Sequence, residues 1–163
     1  RVFDGVPASL PALAAARKLS ARAAAAGYDF PDRRMQFDKL REELAELSRE
    51  LFDRDAPEAV PAGIDGPVRP DDPIADPARR DRAEAELGDV LFVLANIGRR
   101  WGLDPEQALR RSNRKFADRV RYIERRLRES ADDGGGPREL GDVSLAEMEA
   151  LYQEGKRRER GNG

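Results

Sequence analysis

The sequence contains no cysteine and no histidine among its 163 residues. Without cysteine, disulfide bonds, thiolate nucleophiles and cysteine-ligated zinc sites are excluded. Without histidine, Ser-His triads, imidazole general bases and the commonest zinc ligand are excluded as well. Any catalysis must therefore use carboxylates, lysine, arginine, hydroxyl groups or a bound metal ion.

Long apolar runs and a strong charge of either sign are also missing. No apolar stretch approaches the roughly 20 residues that span a bilayer, so no membrane insertion is expected. No signal-peptide pattern is visible, and a cytoplasmic setting is the expectation. The formal net charge of −2 creates no general attraction for nucleic acid polymers or anionic lipid. The chain starts at Arg1 without a methionine, as expected of a trimmed chain or a piece of a longer protein.

The residues that are present favour helices. Aromatic residues make up only 6% of the chain, whereas alanine, leucine, glutamate and arginine are abundant. We therefore predict an all-α fold, a bundle of four or five helices in a single domain that spans residues 1–163. The predicted helices cover about residues 7–26, 33–54, 78–100, 105–129 and 144–157. Residues 55–77, rich in proline, aspartate and glycine, are predicted to form a long loop.

Two of these helices carry clear apolar stripes. In the second helix, leucines recur at spacings of four and three residues, at Leu40, Leu44, Leu47 and Leu51. In the fourth helix, the predicted buried stripe consists of Leu109, Phe116, Val120, Ile123 and Leu127.

Acidic residues lie beside the apolar faces of the second and third helices. At about 100° per residue, one flank of the leucine stripe carries a ridge of Lys39, Glu43, Glu46 and Glu50. In the third helix, Glu86 and Asp89 fall within about 100° of the apolar residues Val90, Val93 and Ile97. These two acidic residues therefore continue the apolar face instead of opposing it.

Carboxylates gathered on buried faces are costly and raise one another's pKa values unless a cation compensates them. A divalent ion would remove this conflict, and a ligand set made only of oxygen favours Mg²⁺, or Mn²⁺ as a substitute, over zinc. The alternative is an ordinary solvated face, because Glu-x-x-Glu in a helix usually forms surface salt bridges. The alignment of Glu86 and Asp89 with apolar residues is harder to explain in that way.

The fourth helix supplies positive charge. Lys115 and Arg119 are four residues apart on one side of this helix, next to Phe116. Such side chains bind phosphate oxygens, which suits a polyphosphate beside a carboxylate-bound metal ion. Because many other arginines crowd the same helix, two basic residues on one side are also expected by chance.

Two separated segments together resemble the EExxE…ExxD signature of the MazG family. They are the segment from Lys39 to Glu46 and the segment from Glu86 to Phe92. Further similarity lies at Asn96, at Leu103 to Glu106, at Asn113 to Phe116 and at Arg119. Residues Gly27 to Phe30 resemble the GFDW turn of the C-terminal MazG domain of two-domain proteins, with Phe30 in place of the usual tryptophan. The gap between the two acidic motifs is longer than is usual in the family.

The resemblance implies an α-helical homodimer that hydrolyses nucleoside triphosphates to the monophosphate and pyrophosphate. Carried over by position, the metal ligands would be Glu43, Glu46, Glu86 and Asp89. Glu42 belongs to the motif but points away from the acidic ridge, and the proton acceptor is left open among Glu42, Glu46 and Glu50. The expected substrate contacts are Lys39, Lys115 and Arg119 to phosphates, Asn113 as an orienting residue, and Tyr28 and Phe30 at the base.

Three alternatives stand beside this prediction. Phosphoribosyl-ATP pyrophosphohydrolases carry similar carboxylate motifs, but they are typically shorter and have a histidine soon after the second motif. A house-cleaning enzyme specific for dUTP or dCTP is the second alternative. The third is a non-catalytic helical dimerisation module, against which the presence of all four predicted ligands argues.

Overall fold

The computed structural model describes residues 1–59, 70–129, 136 and 138–161. It contains five α-helices, which we number α1 (Ala12–Ala25), α2 (Met35–Phe52), α3 (Pro77–Arg100), α4 (Pro105–Glu129) and α5 (Leu145–Gly161). A short 3-10 helix, Leu140–Asp142, precedes α5. The described residues include no β-strand, which confirms the all-α prediction. Of the predicted loop, residues 60–69 lie outside the described residues, and 70–76 have no regular structure.

Side-chain caps fix the starts of three helices. At α3, the Asp76 carboxylate accepts a hydrogen bond from the Arg79 amide at 3.0 Å. At α4, Asp104 accepts one from the Gln107 amide at 3.0 Å, with Pro105 as the first helical residue. Ser144 caps α5 in the same way. These caps satisfy backbone donors that a helix leaves free in its first turn, as the sequence predicts for α4 and α5.

Contacts divide the chain into two compact units. The first consists of residues 1–59 and 71–109 and contains α1, α2, α3 and the first turn of α4. In this unit α3 packs against both α1 and α2. Its buried face consists of Ala83, Val90, Val93, Ala95 and Gly98. This packing places the acidic residues of α2 beside those of α3.

The second unit consists of residues 60–70 and 110–163. Its described helices are the remainder of α4, the short 3-10 helix and α5. Tyr122 of α4 packs against Gly155 of α5, where an added Cβ atom would lie 3.1 Å from the tyrosine ring. The Tyr122 hydroxyl donates a hydrogen bond to Glu154. Gly155 is therefore needed for the close approach of the two helices in this unit.

The predicted buried stripe of α4 is correct only for its C-terminal half. Ile123 and Leu127 are buried, whereas Leu109 and Phe116 are 50% and 62% exposed. The contacts with α5 run along the stretch of α4 from Arg119 to Arg126, which explains the burial of the later residues. Helical periodicity identifies the apolar face but does not tell which part of its length a neighbour covers.

Both α2 and α3 also expose apolar side chains. Leu44 and Leu51 of the leucine stripe are 48% and 40% exposed, so at these two residues the stripe does not face the core of this chain. The helix buries its acidic flank instead, at Glu43, because that flank faces α3. In the described part of the chain, no helix is both long and apolar enough to cross a membrane.

Candidate metal centre

Three carboxylates from two helices converge in the first unit. Glu43 from α2 and Glu86 and Asp89 from α3 each offer one oxygen atom, and the three oxygens lie within 4.8 Å of one another. Glu43 is buried, Glu86 is half-buried and Asp89 is exposed. This group of acidic residues can hold a metal ion, because its donors are all oxygen and its open side gives access to a ligand.

The carboxylates of this cluster repel one another, and the repulsion changes the pKa of Glu86. Burial raises the pKa of Glu86 above its usual value of 4.5, and repulsion from Glu46, Asp89, Glu43 and Glu50 raises it further. Glu46 therefore lies in the same negative field, although its oxygens are not part of the tight group of three. The ionised forms of these carboxylates destabilise one another, and a cation among them would relieve that cost.

Lys39 is the cation nearest to the buried carboxylate. Its ammonium group lies 2.6 Å from Glu43 and 3.1 Å from Glu42. These contacts raise the pKa of Lys39 well above its usual range, with the hydrogen bond to Glu43 as the largest cause. The Glu42 side chain is 56% exposed and turns toward Lys39. One lysine therefore partly neutralises the buried end of the site.

A cavity of about 490 Å³ opens beside the cluster. Its lining includes Glu43, Asp89 and Lys39 together with the aromatic side chains of Tyr28, Phe30 and Phe92. The remaining lining residues are Ser20, Ala23, Gly27, Asp29, Gln36, Val93, Asn96 and Arg99. Its volume falls in the range of about 300–1,000 Å³ that is typical of small-molecule sites. The predicted base-contacting residues and the acidic residues thus share one cavity.

A partly buried ion pair holds the aromatic turn in place. Gly27 has a φ of 92°, which only glycine adopts without strain, and it turns the chain from α1 toward Tyr28. Asp29 accepts hydrogen bonds from Arg99 and Arg100 near the end of α3, with the Arg100 contact at 2.6 Å. Burial alone would raise the pKa of Asp29, but the hydrogen bonds from the two arginines lower it overall. The turn that carries Tyr28 and Phe30 is therefore held against the C-terminal end of α3 by these hydrogen bonds.

The other predicted substrate contacts belong to the second unit. Asn113 and Lys115 are exposed on α4. Arg119 pairs with Glu159 at 2.8 Å and donates a hydrogen bond to the Tyr152 hydroxyl at 3.1 Å. These contacts raise the pKa of Arg119 and join α4 to α5. The predicted phosphate-binding role of these residues stays a prediction.

Sequence reasoning missed Gln36, which is 1% exposed and lines the cavity. The signal was its spacing: it lies three residues before Lys39 and seven before Glu43, on the same face of α2. This spacing alone predicts that Gln36 lies near the two site residues.

The amino-acid sequence is similar to those of curated proteins over most of its length. The chain is 33% identical over 157 residues to the nucleoside triphosphate pyrophosphohydrolase of Escherichia coli (strain K12), across 96% of this chain and 49% of that protein. It is 30% identical over 115 residues to the nucleoside triphosphate pyrophosphohydrolase/pyrophosphatase MazG of Thermotoga maritima, across 71% of this chain and 34% of that protein. The chain thus spans about half the length, or less, of these curated relatives. No family model matches it.

Proposed function

Because the chain belongs to the MazG family, we propose that it is a Mg²⁺-dependent nucleoside triphosphate pyrophosphohydrolase that yields a nucleoside monophosphate and pyrophosphate. The observation that carries this proposal is the convergence of Glu43, Glu86 and Asp89 beside a cavity with aromatic walls. A cluster of acidic side chains next to a pocket of small-molecule size is the arrangement that metal-assisted hydrolysis of a phosphoric anhydride needs.

The carboxylates fit a hard divalent ion. Glu43, Glu86 and Asp89 would hold it, whereas Glu46, predicted from the sequence as a fourth ligand, lies at the edge of the same negative field and stays free to accept a proton. Mg²⁺ bound there supplies positive charge to the phosphates and makes water a stronger nucleophile at the α-phosphorus. The raised pKa of Glu86 supports this assignment, since these carboxylates repel one another as they stand.

The proton acceptor for the attacking water is best assigned to Glu46. Of the three carboxylates left open by the sequence, Glu42 is held by Lys39 and Glu50 by Arg82, whose Nε donates to it at 3.1 Å. Glu46 forms no hydrogen bond or ion pair with the residues that the structure describes, and it lies close enough to Glu86 to raise its pKa. A carboxylate free of other partners is the better proton acceptor.

The positive side chains would bind the phosphates. Lys39 lines the cavity beside Glu43, where it can contact a phosphate oxygen while it keeps its ion pair with that carboxylate. For Lys115, Arg119 and Asn113, contacts to phosphates and an orienting role are proposed on the family resemblance alone. Free nucleotides in the cytoplasm are the proposed substrates, in preference to a nucleic acid polymer.

A homodimer is part of the proposal. Leu87, Leu91 and Leu94 of α3 recur at helical spacing and are 46%, 43% and 44% exposed. Leu44 and Leu51 of α2 lie seven residues apart and are similarly exposed. Such repeated apolar exposure is more than a single soluble chain normally leaves uncovered, and a second copy of this chain would cover it.

Product analysis tests the proposed reaction. With Mg²⁺ and a panel of ribo- and deoxynucleoside triphosphates, we expect pyrophosphate and monophosphate in equal amounts. The variant Asp89→Asn should lose at least about a hundredfold in turnover, because a neutral amide replaces one charged ligand. Glu84→Gln, an exposed site two residues before Glu86 on the same helix, is the matched control and should keep its activity.

Release of orthophosphate and a diphosphate would contradict this proposal. So would full activity in Asp89→Asn. A chain that hydrolyses none of the triphosphates, yet forms a stable dimer, would favour the non-catalytic dimerisation module instead.

A further inference from the structure

A series of hydrogen bonds along the cavity wall connects the aromatic turn to Asn96. The guanidinium of Arg99 donates to the carboxylate of Asp29 and, from its Nε, to the amide oxygen of Asn96 at 2.7 Å. All three residues line the cavity. The side chains of Arg99 and Asp29 are only 15% and 16% exposed. One largely buried guanidinium therefore holds both Asn96 and the turn that carries Tyr28 and Phe30.

The contact with Arg99 fixes the orientation of the Asn96 amide. A guanidinium only donates hydrogen bonds, so the atom that faces it must be the amide oxygen, and turning the amide over would oppose two donors. The NH2 group donates to none of the residues that the structure describes. In that part of the chain, the side-chain atoms buried without a partner belong to Gln36, Ser48 and Arg126, so the Asn96 nitrogen keeps accessible surface. Asn96 thus offers a ligand a donor that cannot turn into an acceptor.

The cavity runs from the acidic cluster toward Asn96. Its lining residues from α3 are Asp89 and, farther along the helix, Phe92, Val93, Asn96 and Arg99. Seven residues separate Asp89 from Asn96, which puts the two on one face of α3 with about 10 Å between them along the helix axis. A nucleotide whose α-phosphate is held at the carboxylates would extend its sugar and base along this wall.

We propose that Asn96 binds the nucleoside part of the substrate, its NH2 group donating a hydrogen bond to an acceptor atom there, and that Arg99 is the positioning residue that fixes this donor. The inference rests on the proposed hydrolysis and adds a nucleoside-binding residue to it. It implies no preference among the bases, because every nucleoside carries acceptor atoms. A donor that is oriented before the ligand arrives lowers the entropic cost of binding.

Asn96→Asp isolates the donor, because it replaces the NH2 group with oxygen and keeps an oxygen for Arg99. For the triphosphate that the wild-type protein hydrolyses best, we expect KM to rise at least about tenfold with kcat nearly unchanged, since the contact is lost from ground and transition states alike. The thermal midpoint without nucleotide should not drop, because the bond from Arg99 becomes charge-assisted. A purely structural role for Asn96 predicts an unchanged KM.

Inorganic tripolyphosphate separates this contact from simple charge repulsion. It offers phosphates without a sugar or base, so its inhibition constant should be nearly the same for the wild-type protein and Asn96→Asp. Equal weakening of tripolyphosphate and nucleotide would mean that the new charge acts on the phosphates, and would overturn the inference. Gln107→Glu is the matched control: it adds the same charge at an exposed site of the first unit outside the cavity, and should leave KM unchanged.

Arg99→Met tests the positioning role. Without the guanidinium the Asn96 amide is free to turn over, so KM should rise several-fold while kcat and the inhibition by tripolyphosphate stay nearly the same. Arg100→Met is the matched control, because Arg100 also donates to Asp29 and to the Phe30 carbonyl but makes no contact with Asn96. A loosened turn would raise KM at least as much in Arg100→Met. Equal KM values in the two variants would therefore overturn the role of Arg99.

The outcomes separate this inference from the proposed function. Hydrolysis by the wild-type protein with an unchanged KM in Asn96→Asp overturns the inference and leaves the proposed function standing. If no triphosphate yields pyrophosphate, the proposed function fails and the inference fails with it.

Discussion

At the scale of single residues, the most informative feature is a charge conflict at Glu86. Its raised pKa means that the ionised carboxylate is less favourable in the folded protein than in the unfolded chain. The stability that such a group takes away grows as the pH rises through its pKa, and the full cost is present above the raised pKa. A fold that keeps this cost beside two carboxylates that line a cavity is consistent with a site adapted to a cation.

Glu86→Gln should therefore have opposite effects without and with Mg²⁺. Without the metal ion, the variant should melt a few degrees above the wild-type protein, because the repulsion is gone. With saturating Mg²⁺, the wild-type protein should gain stability and the variant should gain little. Differential scanning calorimetry in both conditions measures the two shifts. A variant that melts lower without Mg²⁺ and still responds fully to it would contradict the assignment of Glu86.

Asp29 provides the contrasting case, a carboxylate whose lowered pKa reflects favourable ion pairing. Its ionised form stabilises the fold above the usual pKa of 3.8, and this contribution is lost as the pH falls through the lower pKa of the folded state. Asp29→Asn should cost about 2 kcal/mol at neutral pH, since two charged hydrogen bonds are weakened. Urea unfolding at neutral and acidic pH should find that this difference shrinks below the usual pKa. An equal difference at both pH values would rule out the ion pair as its source.

At the scale of helices, the sequence predicts the positions of the helices along the chain better than it predicts which of their faces are buried. The start of α4 follows from Asp104 and Pro105, because capping is local chemistry that a few neighbouring residues determine. The exposure of Leu44, Leu109 and Phe116 could not be predicted from such local chemistry. Apolar periodicity identifies a face, but the partner of that face is decided by the whole fold or by another chain.

The exposed face of α3 leads to a prediction about assembly. Leu91→Glu places a charge in the middle of the exposed leucines and should convert the proposed dimer to a monomer, because burying an unpaired charge is costly. Sedimentation equilibrium should give a mass twice that of one chain for the wild-type protein and about half of that for the variant. Leu103→Glu, at a leucine that is 58% exposed outside α2 and α3, is the control. A dimer that persists in Leu91→Glu would place the interface elsewhere.

At the scale of the whole molecule, the acidic site was largely predictable and the cavity was not. Glu43, Glu86 and Asp89 could be found from sequence, because helical spacing alone sets them in line with apolar residues. Their convergence depends on the packing of α2 against α3, which no local pattern encodes. The spacing of Gln36 puts it on the same helical face as Lys39 and Glu43, but the burial of its amide without a partner depends on the packing.

The central claim is that this cluster binds a divalent ion, and Mn²⁺ titration followed by electron paramagnetic resonance tests it most directly. The signal of free Mn²⁺ reports how much ion stays unbound at each protein concentration, without any nucleotide. We predict saturable binding to the wild-type protein and to Glu84→Gln, and at least about tenfold weaker binding to Asp89→Asn. Equal binding to Asp89→Asn and to the wild-type protein would contradict the account.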